Sequence, residues 1–152
     1  MRYISISILI ACVAACASVP QSQQVRNNPS PALDATKALV VLYREDRTAY
    51  DGKSVEIGEA GRPLALLPNA SCQYLYLEPG KHSLQLLAWN LAGAQYDANW
   101  EAGHIYYLKT VFKQFDPHMT LMEVTVVPVE AGAAKDEIGD LQLLQTSSPT
   151  KP

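Results

Sequence analysis

Three cysteines and three histidines, Cys12, Cys16, Cys72, His82, His104 and His118, are the chain's sharpest chemical tools. A cysteine thiolate needs an imidazole base at about 3 Å to act as a nucleophile. Cys72 and His82 are the pair to weigh, with His104 or His118 as bases that the fold would have to bring in. No two histidines fall at the H-x-H or H-E-x-x-H spacings that turn two imidazoles toward one zinc ion, so no metal site is expected. His82 and His104 closely follow turn glycines, where a polar residue opening a strand is ordinary. Asp46, Asp51, Glu56, Glu59, Asp97, Glu101 and Asp116 are scattered acids. General acid–base work needs two carboxyls in one cleft, and nothing in their spacing pairs any two. A Gly-rich phosphate loop and a nucleophile elbow are both missing, so no cofactor is implied.

The elements that would position these groups are strands. A hydrophobic content of 48% with 18% charged residues suits a single packed domain rather than a disordered chain. Short apolar runs recur between Gly, Pro and Asn turn signals: 36–44, 54–57, 64–67, 71–77, 82–89, 95–100, 104–113 and 120–129. That spacing predicts an all-β fold, an antiparallel β-sandwich. One short helix is predicted near the C-terminus, Ala131 to Ile138, with Gly139 as its stop. Leu141 to Leu144 is a candidate last strand. The domain is expected over 36–145, followed by a polar tail, 146–152, expected to be disordered.

Pro79-Gly80 is a strong turn signal, since Pro presets the first central position and Gly supplies positive φ at the second. A two-residue hairpin there sets Tyr76 opposite Ser83, Tyr74 opposite Gln85 and Cys72 opposite Leu87. One face then carries Leu75, Leu77, Leu84 and Leu86, assigned to the core. The other carries Tyr74, Tyr76 and Trp89, a candidate face for a protein or glycan partner, and a three-residue loop would swap the two faces. On this register His82 stands opposite Leu77, about 17 Å along the strand from Cys72 at roughly 3.4 Å per residue, too far for a dyad.

The N-terminal segment has its own logic. One positive charge, Arg2, precedes an apolar run from Tyr3 to Ala15 that is too short for a span of about 20 residues. Val13-Ala14-Ala15-Cys16 closes it and resembles the lipobox of bacterial lipoproteins. The resemblance implies cleavage after residue 15 and a diacylglyceryl thioether on Cys16. It also implies outer-membrane sorting, because Ala17 rather than Asp follows the cysteine. Leu9-Ile10-Ala11-Cys12 is a rival lipobox, and Ala15-Cys16-Ala17 also fits an ordinary secretory cut. Residues 16–35, rich in Gln, Asn, Ser and Pro, are expected to form a flexible tether. Removing Arg2 with the signal takes the formal charge from −3 to −4. With no Lys/Arg cluster, nucleic acid is not an expected partner. Cys72 would remain as the one cysteine with no partner for an internal disulfide.

From Tyr43-Arg44 through Pro79-Gly80-Lys81-His82 to Gly103 and Tyr106-Tyr107-Leu108, the chain resembles a family of small bacterial lipoproteins whose shared β-sandwich domain has no assigned function. It is also similar, more distantly, to the Pro-Glu-Gly-Ala-type surface sandwich modules. The resemblance runs from about Thr36 to about Leu144 and implies no catalytic residue. The expectation is a non-enzymatic binding or envelope-structural module, held to the membrane by lipid on Cys16 and facing an envelope protein or peptidoglycan. A periplasmic hydrolase using Cys72 or a serine, and a soluble periplasmic module without lipid, are the alternatives.

Overall fold

Ala38–Arg44, with seven consecutive buried residues, forms β1 at the centre of the larger of two sheets. A computed structural model describes residues 31–47, 52–88, 91–114 and 122–144. Cys12, Cys16, Trp89 and His118 lie outside them. In chain order the remaining elements are β2 (Val55–Glu59), β3 (Arg62–Leu67), β4 (Ser71–Leu77), β5 (Gly80–Ala88), β6 (Leu91–Trp100), β7 (Ile105–Gln114), β8 (Met122–Val129), α1 (Ala131–Ile138) and β9 (Gln142–Leu144). They build one sheet in the order β8-β7-β1-β4-β9 and a second in the order β3-β2-β5-β6. The chain is an all-β sandwich with one short helix near the C-terminus. Wholly antiparallel pairing holds only in the four-stranded sheet. In the other, β1 runs parallel to β7 and β4 parallel to β9.

Alternation along β1 explains its unbroken apolar sequence. Ala38, Val40 and Leu42 point between the sheets, where they meet Val55, Ile57, Leu67, Leu75, Leu84 and Leu86. Leu39, Val41 and Tyr43 point the other way, into a second cluster with Cys72, Tyr107 and the helical Ala134 and Ile138. A strand covered on both faces has no solvent side on which polar residues would alternate. Each buried Leu or Val contributes about 1.5–3 kcal/mol, so the two clusters supply the main support of the fold.

Polar bonds fix α1 over the five-stranded sheet. The hydroxyl of fully buried Tyr43 donates to Glu137 Oε2 at 2.6 Å. Lys109 Nζ reaches the same oxygen at 3.0 Å and Glu45 Oε1 at 2.7 Å. Burial, and then the Glu137 carboxylate, push the Tyr43 hydroxyl pKa up. The bond from Tyr43, aided by Lys109, holds Glu137 below the usual carboxylate range. Burial pulls Lys109 down, but the two carboxylates outweigh it and leave the ammonium raised. The helix ends at Gly139 as predicted, although that glycine stays right-handed at φ −49°. At the far end of the core, buried Arg44 donates to the carbonyls of Lys53 and Leu67 and lies over the Phe112 ring at 4.8 Å.

The predicted Pro79-Gly80 hairpin does not form. β4 pairs with β1 while β5 pairs with β2 and β6, so the turn carries the chain from one sheet to the other. Gly80 takes φ +132°, a value that suits glycine. The core faces nevertheless come out as expected. Leu75 faces inward from one sheet and Leu84 and Leu86 from the other, with Leu77 packed against the same core. A two-residue turn does close the β2–β3 pair, with Ala60 and Gly61 at φ +49° and +77°.

Candidate functional site

Cys72 sits beneath α1 on the outer face of the five-stranded sheet, with no exposed surface. Burial pushes its thiol pKa up to about 11. A thiol so raised holds little thiolate at neutral pH and is a poor nucleophile. His82 belongs to the other sheet, so the two are separated by layers of the fold rather than by the length of one hairpin. His104 is exposed on the β6–β7 turn, with Nδ1 at 3.1 Å from the Ala102 carbonyl.

Tyr74 and Tyr76 share the outer face of β4. Tyr74 is half-buried against the cluster under α1, and burial raises its hydroxyl pKa. Tyr76 is 39% exposed, and its hydroxyl donates to the Ala32 carbonyl at 2.8 Å. The end of the expected tether, 31–35, thus lies against the domain: Asp34 also accepts from the Thr36 amide and hydroxyl. The third member of the proposed aromatic face, Trp89, is outside the described residues.

A concavity that sets polar side chains around a more apolar surface lies on the four-stranded sheet. An open groove of about 910 Å³ is lined by Glu59, Arg62, Lys81, Ser83, Asp97 and Asn99, among others, with His82 in its wall. Strand lengths create it. β2 stops at Glu59, opposite Leu84, whereas β5 and β6 stay paired out to Gly80 and Trp100. Past the end of β2, one edge of β5 is left open.

His82 is fixed at that end of the core. Its ring stacks on Trp100 with centroids 4.9 Å apart. Nδ1 lies 2.8 Å from Glu59 Oε1 and Nε2 lies 2.8 Å from the Glu78 carbonyl. Both nitrogens face acceptors, and a neutral imidazole can donate to only one of them. Glu59 Oε1 also accepts the Ser83 backbone N–H at 3.3 Å. Gln95 donates to both oxygens of Asp97, at 2.9 and 3.1 Å. With a second bond from the Ser83 side chain, this holds Asp97 below the usual carboxylate range. The Ser83 hydroxyl is thus turned to a carboxylate, and the His82 nitrogens to the Glu59 carboxylate and the Glu78 carbonyl. Among the described residues, no group of three or more His, Cys, Asp or Glu side chains is arranged to hold a metal ion.

The Glu59–His82 pair was hidden in the sequence because its members are 23 positions apart on strands that do not adjoin in the chain. Glu59 just before the Ala60-Gly61 turn was the one local hint.

By fold and groove, this is a helix-bearing β-sandwich domain with a recess beside an incomplete sheet edge. No protein-family model matches the chain, and no curated protein is significantly similar to it.

Proposed function

We propose that the protein is a lipid-anchored lipoprotein of the bacterial outer membrane, whose β-sandwich works as a non-enzymatic binding or structural module in the envelope. The observation that carries this reading is the order of parts: Val13-Ala14-Ala15-Cys16, a polar tether, then a domain whose strands begin at Ala38. Among the described residues, no helix is long and apolar enough to cross a membrane. Two or three acyl chains supply a durable anchor, since each buried methylene contributes about 0.8 kcal/mol. Buried Cys72 and the occupied nitrogens of His82 favour a module over a hydrolase.

Three measurements test the proposal. Labelling cells with palmitate should tag the native chain and the Cys12→Ser variant, and the label should vanish in Cys16→Ser. An unmodified mature terminus in the mass spectrum would remove the anchor from the account. Folded protein should react with a thiol reagent at Cys72 at least a hundredfold more slowly than unfolded protein. Fast labelling of the folded state would revive the hydrolase.

A further inference from the structure

Among the described residues, three of the five exposed large apolar side chains, Leu33, Tyr76 and Ile105, gather at the end of the sandwich where the chain enters β1. Leu39 of β1 pairs with Tyr76 of β4 on one side and with Ile105 of β7 on the other. Paired residues share a face, so Tyr76 and Ile105 flank Leu39 on the outer face of the five-stranded sheet, about 10 Å apart at two strand spacings. Leu39 is fully buried, whereas Tyr76 is 39% and Ile105 37% exposed. Leu33, 50% exposed, belongs to the segment that leads into β1. That segment is held at both of its ends. The Tyr76 hydroxyl donates to the Ala32 carbonyl, and Gly103, two residues before Ile105, donates its N–H to the Lys37 carbonyl at 2.9 Å.

The connection of the chain selects what meets this surface. Residues 16–30 join Cys16 to residue 31, which adjoins the Ala32 held by Tyr76. With acyl chains on that cysteine, the bilayer is never further from this end than about 50 Å, the reach of the extended tether. Contact inside a tethered molecule is intramolecular, with an effective concentration on the order of millimolar. Three partly exposed side chains are too few to hold a free protein on lipid, but they are enough to bias a tethered one. Their chemistry suits the boundary between headgroups and acyl chains, where a Tyr ring keeps its hydroxyl wet and aliphatic groups leave water. Charge adds no pull toward anionic lipid. Lys37 pairs with Glu78 at 3.3 Å, His104 Nδ1 lies 3.9 Å from Glu101, and Asp34 is a further carboxylate. The two remaining exposed side chains, Leu66 and Leu87, stand on either side of Glu56 on the other sheet.

We infer that Leu33, Tyr76 and Ile105 form a membrane-contact patch, which rests reversibly in the headgroup region of the bilayer that anchors the chain. The contact rests on the lipidation of Cys16 proposed above and adds an orientation to it. The end at which β1 begins faces the lipid, and the end at which β1 closes on Arg44 faces away. Apolar burial drives the contact, so it needs no anionic lipid and survives salt.

The test uses the full mature chain reconstituted in phosphatidylethanolamine–phosphatidylglycerol vesicles. A small fluorophore is attached through Leu33→Cys, through Ile105→Cys or, as the reference, through Leu66→Cys, which is equally exposed and lies toward the Arg44 end. The native Cys72 has no exposed surface to label. Nitroxide on the lipid headgroups should quench the probes at positions 33 and 105 at least threefold more than the probe at 66, in low and in high salt. Leu33→Ser should lower quenching at position 105 about twofold and leave the thermal melt by circular dichroism unchanged. Equal quenching at all three positions, in a chain whose acyl group is seen by mass spectrometry, overturns the patch and leaves the anchor standing. A chain without the acyl group overturns both. Quenching that vanishes in high salt would mean that charge holds the domain, and overturns the apolar patch. Fluorescence changes at 33 and 105 that come without quenching and grow with chain density would assign the surface to a second copy, and overturn it as well.

Discussion

Replacing Glu137 with Ala isolates the bonds that hold α1 to the sheet. The substitution strips the acceptor from the Tyr43 hydroxyl, which is fully buried, with no other acceptor among the described residues. Leaving a buried donor without a partner costs about 1–3 kcal/mol. Lys109 keeps Glu45 and loses only a partly exposed ion pair, worth at most about 1 kcal/mol. Alanine returns a few tenths of a kcal/mol through its higher helix propensity. The net loss is about 2 kcal/mol, or roughly 8–12 °C in Tm for a domain of this size. Tyr43→Phe should cost only about 1 kcal/mol, since Glu137, its side chain 31% exposed, turns to Lys109 and water. In Tyr43→Phe/Glu137→Ala the hydroxyl is already gone, so the pair should couple by about 1 kcal/mol. Urea unfolding followed by circular dichroism supplies all four corners of the cycle. A Glu137→Ala loss below about 0.5 kcal/mol, or strict additivity, would refute the idea that this bond clamps the helix.

The same carboxylate gives a pH signature. Because its folded pKa is depressed, its contribution is present above the unfolded value near 4.5 and is lost as pH falls through the folded value. Urea midpoints in acid should therefore fall less steeply in Glu137→Gln than in the native protein. Cys72 works at the alkaline end, its thiol being raised from 9.0 to about 11. The unfolded state releases that proton first, so native stability falls between pH 9 and 11 by a step that Cys72→Ala lacks, and the gap in urea midpoint between the two should narrow there. Gly93→Ala should give little folded protein by circular dichroism, since its Cβ would fall 1.2 Å from the Leu86 carbonyl oxygen. Gly132→Ala, in α1 with nothing near its Cβ, should raise stability by about 0.5 kcal/mol in the same assay.

Local chemistry made the strands legible, and the limits of local chemistry account for what was misread. β1 was plain from its run of β-branched and apolar residues, and α1 from an Ala-rich stretch that stops at Gly139. The Pro79-Gly80 corner misled because the same residues turn a chain within one sheet or between two sheets. What decides is the long-range pairing of Leu75 with Val40 and of Leu86 with Ile57, which no local window contains. The core leucines came out right because inward parity on both sides of a corner does not depend on whether it closes a hairpin. Strands on either side of Gly61 were legible, but the two-residue turn joining β2 to β3 was not, because Ala60, at φ +49°, is a residue type that seldom takes the left-handed conformation. The groove was beyond reach for a related reason: it exists because β2 is shorter than β5, a mismatch that appears only once the two are paired.

The position of that groove constrains what it can serve if Cys16 carries lipid. Tyr76 holds the Ala32 carbonyl, and Lys37 pairs with Glu78 at 3.3 Å. Four residues beyond Tyr76 the chain enters β5 at Gly80, where the open edge begins. The incoming chain and the groove thus share one end of the sandwich, on opposite sheets. The stretch from Cys16 to residue 31 can span at most about 50 Å at 3.3–3.6 Å per residue. Anything that meets the groove must then come within reach of the tethered domain, and the tether, not the groove, sets the distance. Shortening the tether should therefore reduce capture of partners far from the membrane and leave the affinity for a free ligand in solution unchanged. A tether that changed both would mean that residues 16–30 contribute to the binding surface itself.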